Sequence, residues 1–299
     1  MENFILIISF MIVGIGLRRI QKFPDNSAEV LNLFVIYVSL PAMVLLKVPE
    51  LSFSRELLAP ALIPWVMLFL SVGIIFILSK IFNWDRETLG ALLLLVPLGN
   101  TSFLGIPMVQ VFFGDGGIPY AVLYDQLGSF LALATYGSVV IAIYGRGNDK
   151  PTIHSVIRRV LTFPPFLSLL AALILRSASL PDTFSTLLKI LAETLIPVVM
   201  IAVGFQFTLQ LNSDVLKPMA AGLMVKLLVA PCLALILCRI LDLSSIAAQI
   251  SVFEAGMPPM VSAGAMAIMA GLSPKLTAAM VGLGIFLSFA TLPVLFKFL

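Results

Sequence analysis

Hydrophobic residues run along this chain in long blocks, and polar residues are confined to the short stretches between them. Ten windows of 15–27 residues carry the blocks: Asn3–Leu17, Glu29–Leu46, Leu57–Ile81, Leu89–Phe113, Ile118–Tyr144, Phe163–Leu180, Leu187–Phe207, Val215–Ile240, Ser245–Ala270 and Leu276–Leu299. Each window is apolar and about long enough to cross a bilayer as a helix. The pattern therefore predicts an all-α polytopic membrane protein with ten transmembrane helices. The first window needs flanking residues to reach the ~20 that usually span the hydrocarbon.

Composition agrees: 60% of the 299 residues are hydrophobic, 11% are charged, and the mean hydropathy is +1.11. Soluble domains carry about 25% charged residues. A net charge of +3, with no Lys/Arg run interleaved with aromatics, argues against a nucleic-acid partner. Cys232 and Cys238 share one apolar window and read as small buried hydrophobes. There is no phosphate-binding G-x-x-x-x-G-K-[ST] loop for an ATP-driven pump. No H-E-x-x-H or G-x-S-x-G motif marks an intramembrane enzyme, and the lone His154 sits in a loop, so the expectation is a protein that is not an enzyme.

Charge sets the orientation. Glu2 precedes the first window and Arg18 and Arg19 follow it, the reverse of a secretory signal, so this helix is read as retained with its N-terminus outside. The cytoplasmic loops then hold Arg18, Arg19, Lys22, Lys80, Arg86, Arg146, Lys150, Arg158, Arg159, Lys217 and Lys275. The outer side holds Lys47, Arg55, Arg176, Lys189, Arg239 and Lys297. Eleven against six fits the excess of basic residues in cytoplasmic loops. The expected placement is the cell (inner) membrane, multi-pass, with both termini outside and the basic middle loop, Gly145 to Arg159, in the cytoplasm.

Two windows are interrupted. LLLLVPLGNTSFLGIPMVQVFF (Leu92–Phe113) carries Pro97, Gly99, Asn100, Thr101, Ser102, Gly105 and Pro107 at its centre. SVFEAGMPPMVSAGAMA (Ser251–Ala267) carries Glu254, Gly256, Pro258 and Pro259. Broken backbone is tolerated at membrane depth only where protein or a wet cavity satisfies the freed groups. The chain also repeats itself: GSFLALAT (Gly128–Thr135) matches GIFLSFAT (Gly284–Thr291) at five of eight positions, 156 residues apart. The same displacement maps LPAMVL (Leu40–Leu45) onto IPVVMI (Ile196–Ile201), Pro41 onto Pro197, and Asn100 onto Gly256. Five helices per unit is an odd number, so the second copy enters the membrane from the other side. Inverted repeats with interrupted helices are a secondary-transporter architecture whose substrate site lies near the midplane.

Charged residues inside apolar windows are functional candidates by default. Glu254 is read as a Na⁺ ligand or proton carrier, or else as an acceptor for the broken helix. Asn100, Thr101 and Ser102 offer oxygen ligands and N–H donors, and an unwound turn leading into a half-helix suits a carboxylate. Asp125 is a second cation ligand, a proton carrier or an interfacial carboxylate. Lys226 is read as a partner of Glu254 or Asp125, or as an attractor of an anionic substrate, or as a snorkelling side chain. Lys189 and Glu193, one turn apart, read as a near-surface ion pair.

At GNTSFLGIP (Gly99–Pro107), YDQLGSFLALATYG (Tyr124–Gly137), LPAMVL and EAGMPPMVSAGAMA (Glu254–Ala267) the sequence resembles the auxin efflux carrier family, and more distantly the bile acid–sodium symporters. The resemblance covers the whole chain. It implies two inverted five-helix repeats, 1–144 and 163–299, joined by a cytoplasmic loop over 145–162, with helices four and nine unwound and crossing. It also implies a scaffold of helices one, two, six and seven beside a transport bundle of three to five and eight to ten that moves as an elevator. The expected substrate is a small organic anion, an auxin-like monocarboxylate or malonate-like dicarboxylate. Its contacts would be Asn100, Thr101, Ser102, Gly105, Pro107, Gly256, Met257, Pro258 and Pro259. Coupling would fall to Glu254, Asp125 and Lys226, with a Na⁺ at Glu254, Asn100 and Thr101 or with H⁺, and no other cofactor. A homodimer through the scaffold is also implied. The alternatives are a sodium-coupled symporter of the bile acid type, and a channel or receptor on the transporter fold.

Overall fold

The computed structural model describes residues 2–51, 54–146, 152–177, 181–206 and 213–299. Lys150 of the middle loop, the last residues of the sixth window and Phe207 of the seventh lie outside them. Among the described residues no β-strand forms. The helices are α1 (Glu2–Leu17), α2 (Ser27–Glu50), α3 (Arg55–Phe82), α4 (Arg86–Leu95), α5 (Thr101–Phe113), α6 (Asp115–Tyr144), α7 (Ile153–Leu161) and α8 (Pro164–Ile174). They continue as α9 (Asp182–Gln206), α10 (Leu216–Ile240), α11 (Ile246–Ala255), α12 (Val261–Met269) and α13 (Pro274–Phe296). Six of these, α2, α3, α6, α9, α10 and α13, are long and apolar enough to cross a membrane, or seven if the bent pair α7–α8 is counted as one span. The remaining apolar windows hold the short α1 and the broken pairs α4–α5 and α11–α12.

Prolines shape the long helices. Of the five widened π-helical turns among the described residues, three, Val35–Ser39, Thr101–Gly105 and Val225–Val229, each end two residues before a proline, Pro41, Pro107 or Pro231, and two, Tyr124–Phe130 and Leu133–Gly137, do not. The proline ring has no N–H and clashes with the carbonyl one turn back, and a π turn absorbs the displaced hydrogen bond. In α9 the same strain is released differently, by a single interruption at Thr194, three residues before Pro197. The Ser39 and Thr194 hydroxyls, one beside each proline, share a 2.7 Å hydrogen bond.

The chain divides into two compact units. The first comprises residues 1–54, 102–122 and 158–207. Within it α1 lies directly on the second half of α9. A Cβ built on Gly14 would overlap the Ile201 carbonyl oxygen, and one on Gly204 the Met11 carbonyl oxygen. Small residues that let backbones touch are the usual means of helix association in lipid, where apolar surface alone supplies little drive.

The second unit comprises residues 55–101, 123–157 and 208–299. Its core is built around Leu92–Leu95 of α4, all at most 1% exposed, packed with Ala263 and Ala267 of α12 and with Leu276 and Met280 of α13. Two further glycines fix helix spacing there. A Cβ on Gly128 would run into the Pro64 ring of α3, and one on Gly284 would come within 2.6 Å of the Pro259 ring.

Candidate functional site

Both broken windows meet inside the second unit. Asp85 caps α4, accepting from the Thr88 N–H at 2.7 Å, and Ser245 caps α11, accepting from the Ala248 N–H at 3.3 Å. Each helix then ends where its sequence withdraws support. Beyond Leu95 the chain meets Pro97, and beyond Ala255 it meets Gly256, whose N–H turns back to Phe253 O, and then Pro258 and Pro259. The two extended segments cross as an isolated antiparallel bridge between Gly99 and Pro259. The Asn100 N–H donates to Pro258 O at 2.8 Å, and the Met260 N–H donates to Leu98 O at 3.0 Å.

The crossing pairs Leu98–Asn100 with Pro258–Met260, while Gly256, onto which the displacement of 156 maps Asn100, caps α11. The N–H groups of Asn100 and Met260 also face the opposite segment rather than an open cavity. Two prolines in succession leave few donors, and the crossing is the arrangement in which those donors are satisfied.

The side chains around the crossing are another matter. Asn100, Thr101, Asp125, Gln126, Lys226 and Glu254 are all at most 4% exposed. Asp125 is held at both carboxylate oxygens, by the Thr101 hydroxyl at 2.5 Å and the Gln126 amide at 2.6 Å. Glu254, 0% exposed, has no hydrogen-bond partner at either oxygen. The Asn100 amide nitrogen and the Gln126 amide oxygen are likewise unpartnered. Lys226, carried on the π turn before Pro231, donates one long bond to Ala255 O at 3.4 Å. It makes no ion pair within 4 Å with Glu254 or Asp125, one of the roles left open for it by the sequence. Its ammonium lies 3.1 Å from where a Gly99 Cβ would be, so Gly99 makes room for it.

Glu254, Lys226, Thr101, Tyr124 and Ser129 line a cavity of about 10 Å³, walled by the backbone of Pro97–Gly99 and by Pro64 and Gly128. That is room for about one water-sized occupant. Asp125 is not among the lining residues, but it is bonded to Thr101, which is. Asn100, Gly256, Met257, Pro258 and Pro259 belong to the crossing but not to the cavity lining. Ser102, Gly105 and Pro107 fall in the first unit. Tyr124 and Gln126 were not singled out from sequence; the signal available was the Tyr-Asp-Gln triplet inside an otherwise apolar window.

The first unit holds a larger cleft of about 400 Å³, lined by Met43, Lys47, Gln110, Asp115, Lys189 and Glu193 among others. Lys47 bridges Asp115 at 3.3 Å and Glu50 at 3.7 Å. Lys189 and Glu193 line the cleft without forming the ion pair that their spacing suggested. A Lys placed N-terminal to its Glu is the weaker order for such a pair.

The chain is 27% identical over 268 residues to an uncharacterized transporter of Methanocaldococcus jannaschii, covering 86% of this chain and 85% of that one. It is 25% identical over 299 residues to an uncharacterized transporter of Methanothermobacter thermautotrophicus, covering 98% and 96%. Residues 1–296 match the family described as membrane transport protein. The apolar helices, the buried polar crossing and a match over the whole chain together make this protein a multi-pass membrane transporter, not an enzyme, and a member of the membrane transport protein family, that of the auxin efflux carriers.

Proposed function

We propose that this chain is a secondary active transporter of a small organic anion, with the substrate at the crossing of the two broken helices and a single cation, Na⁺ or H⁺, at Glu254. The observation that carries the reading is the set of unsatisfied buried groups gathered around the crossing. Glu254 is a fully buried carboxylate with two free oxygens, whereas Lys226 and Asn100 are buried donors with one long bond and none at the amide nitrogen. Buried charge is costly until it is paired. Acceptors without donors call for a cation, and donors without acceptors call for an anion. Thr101 and Ser129 supply neutral oxygens beside Glu254 in a cavity the size of one small ion.

Ten spans in two inverted five-helix repeats complete the reading. Its support is the 156-residue repeat and the crossing of segments from both halves. Elevator motion of one body against another needs two compact units, and the chain has two. The inner membrane, with both termini outside and the middle loop cytoplasmic, follows from the basic residues.

Uptake into proteoliposomes tests the assignment. A panel of mono- and dicarboxylates is offered under an imposed Na⁺ gradient, an imposed pH gradient or neither. Accumulation driven by one gradient identifies the cation. A Na⁺-driven result would place the chain with symporters of the bile acid type, the reading that the unpartnered Glu254 favours most among the alternatives. Unitary currents, or ligand binding without uptake, would overturn the transporter mechanism in favour of a channel or a receptor.

A further inference from the structure

Helix α7, Ile153–Leu161, buries none of its residues. Its sequence, IHSVIRRVL, segregates cleanly at 100° per residue: Ile153, Val156, Ile157, Val160 and Leu161 fall on one arc, and His154, Ser155, Arg158 and Arg159 on the other. The apolar arc is open, with Ile153 82%, Ile157 51% and Leu161 52% exposed.

Local chemistry holds this helix in place. Thr152 and Ser155 form a reciprocal cap, the Ser155 N–H donating to Thr152 Oγ1 at 3.2 Å and the Thr152 N–H to Ser155 Oγ at 3.1 Å. The Thr162 N–H closes the last turn on Arg158 O at 2.9 Å, and Pro164 and Pro165 prevent continuation. Yet a nine-residue helix is marginal in water on its own. A surface has to cover the apolar arc.

Three observations identify that surface. Only Thr162 and Phe163 separate α7 from the apolar α8, so α7 is tied to the point where the chain enters the hydrocarbon. The two helices are bent by 62°, so α7 does not continue the direction of α8. Arg158 and Arg159 stand on the polar arc with no carboxylate within 4 Å among the described residues. An amphipathic helix with arginines on its polar face and open aliphatic residues opposite fits the boundary between headgroups and acyl chains. We infer that α7 is a docking helix for an anionic phospholipid surface, its arginines on phosphodiester headgroups and its aliphatic arc in the acyl region. Docking there anchors the linker between the two halves of the chain to the bilayer.

Hydrogen–deuterium exchange over residues 152–162 tests this with the full-length protein in nanodiscs. Discs of phosphatidylcholine alone are compared with an equal mixture of phosphatidylcholine and phosphatidylglycerol. Each arginine favours an anionic surface about fivefold, so exchange should slow by about tenfold or more in the mixed discs. The double variant Arg158→Gln/Arg159→Gln should lose that difference, and Ile157→Asp should raise exchange in both discs. None of these residues is buried, so the melting temperature of the variants reports whether the rest of the fold is intact. Exchange independent of lipid charge in the unmodified protein overturns the inference. So does equal protection in detergent and in both discs, which would mean that protein covers the face.

Discussion

Replacing Glu254 with Gln isolates the charge at the crossing while keeping its shape. A monovalent cation about 4 Å from the carboxylate gains roughly 4 kcal/mol at an effective dielectric constant near 20. Desolvation of the incoming ion offsets part of that, so a loss of about 2–4 kcal/mol on removing the charge is expected, or roughly 30- to 1,000-fold in cation affinity. Without a cation the sign reverses. The carboxylate has no partner at either oxygen and is fully buried, and a neutral amide is cheaper to bury in that state. The ligand-free variant should therefore be more stable by about 1–3 kcal/mol, which corresponds to a few degrees in melting temperature. The assay is thermal unfolding of detergent-purified protein in a Na⁺ series, with choline keeping the ionic strength constant. At 100 times its Kd an ion stabilises the wild type by ~2.7 kcal/mol. A variant that melts lower without ligand, and yet keeps an ion-dependent shift, would refute the reasoning and make Glu254 a structural acceptor.

Three smaller tests follow from contacts described above. Gly204→Ala drives a methyl group into the Met11 carbonyl and should cost about 1–3 kcal/mol, whereas Gly16→Ala meets nothing within 4 Å and should be neutral or stabilising by up to about 1 kcal/mol; parallel melts decide. Thr101→Val removes the donor to Asp125 Oδ1 and should destabilise by about 1–3 kcal/mol in the same melts. Gly99→Ala presses on the mobile end of Lys226 rather than on backbone, so the melt should hold within about 1 kcal/mol while anion binding, read by calorimetry, weakens.

The membrane class, the helical content and the place of both breaks were legible because they depend on composition and on prolines, which act locally. Registration was not. Which residues of the two breaks meet, Gly99 with Pro259, depends on how the segments cross in space, and a repeat displacement does not give that. Sequence named Glu254, Asp125 and Lys226 as buried charges, and all three are buried. It could not tell that Asp125 is satisfied by Thr101 and Gln126 while Glu254 is not, since that depends on side chains brought together from separate windows. Nor could it anticipate π turns as the answer to Pro41, Pro107 and Pro231. A proline announces a disturbance, and tertiary packing decides whether a kink, a π turn or an interruption absorbs it.

The crossing at Gly99 and Pro259 uses main-chain N–H groups that other architectures offer to their cargo. With the Asn100 and Met260 amides committed to each other's segments, and two prolines contributing none, selectivity at the proposed site would rest on side chains. Such side chains can be exchanged one at a time without dismantling the hydrogen bonds that hold the breaks open. A lineage built on this crossing can change what it carries by single substitutions while inheriting its machinery intact.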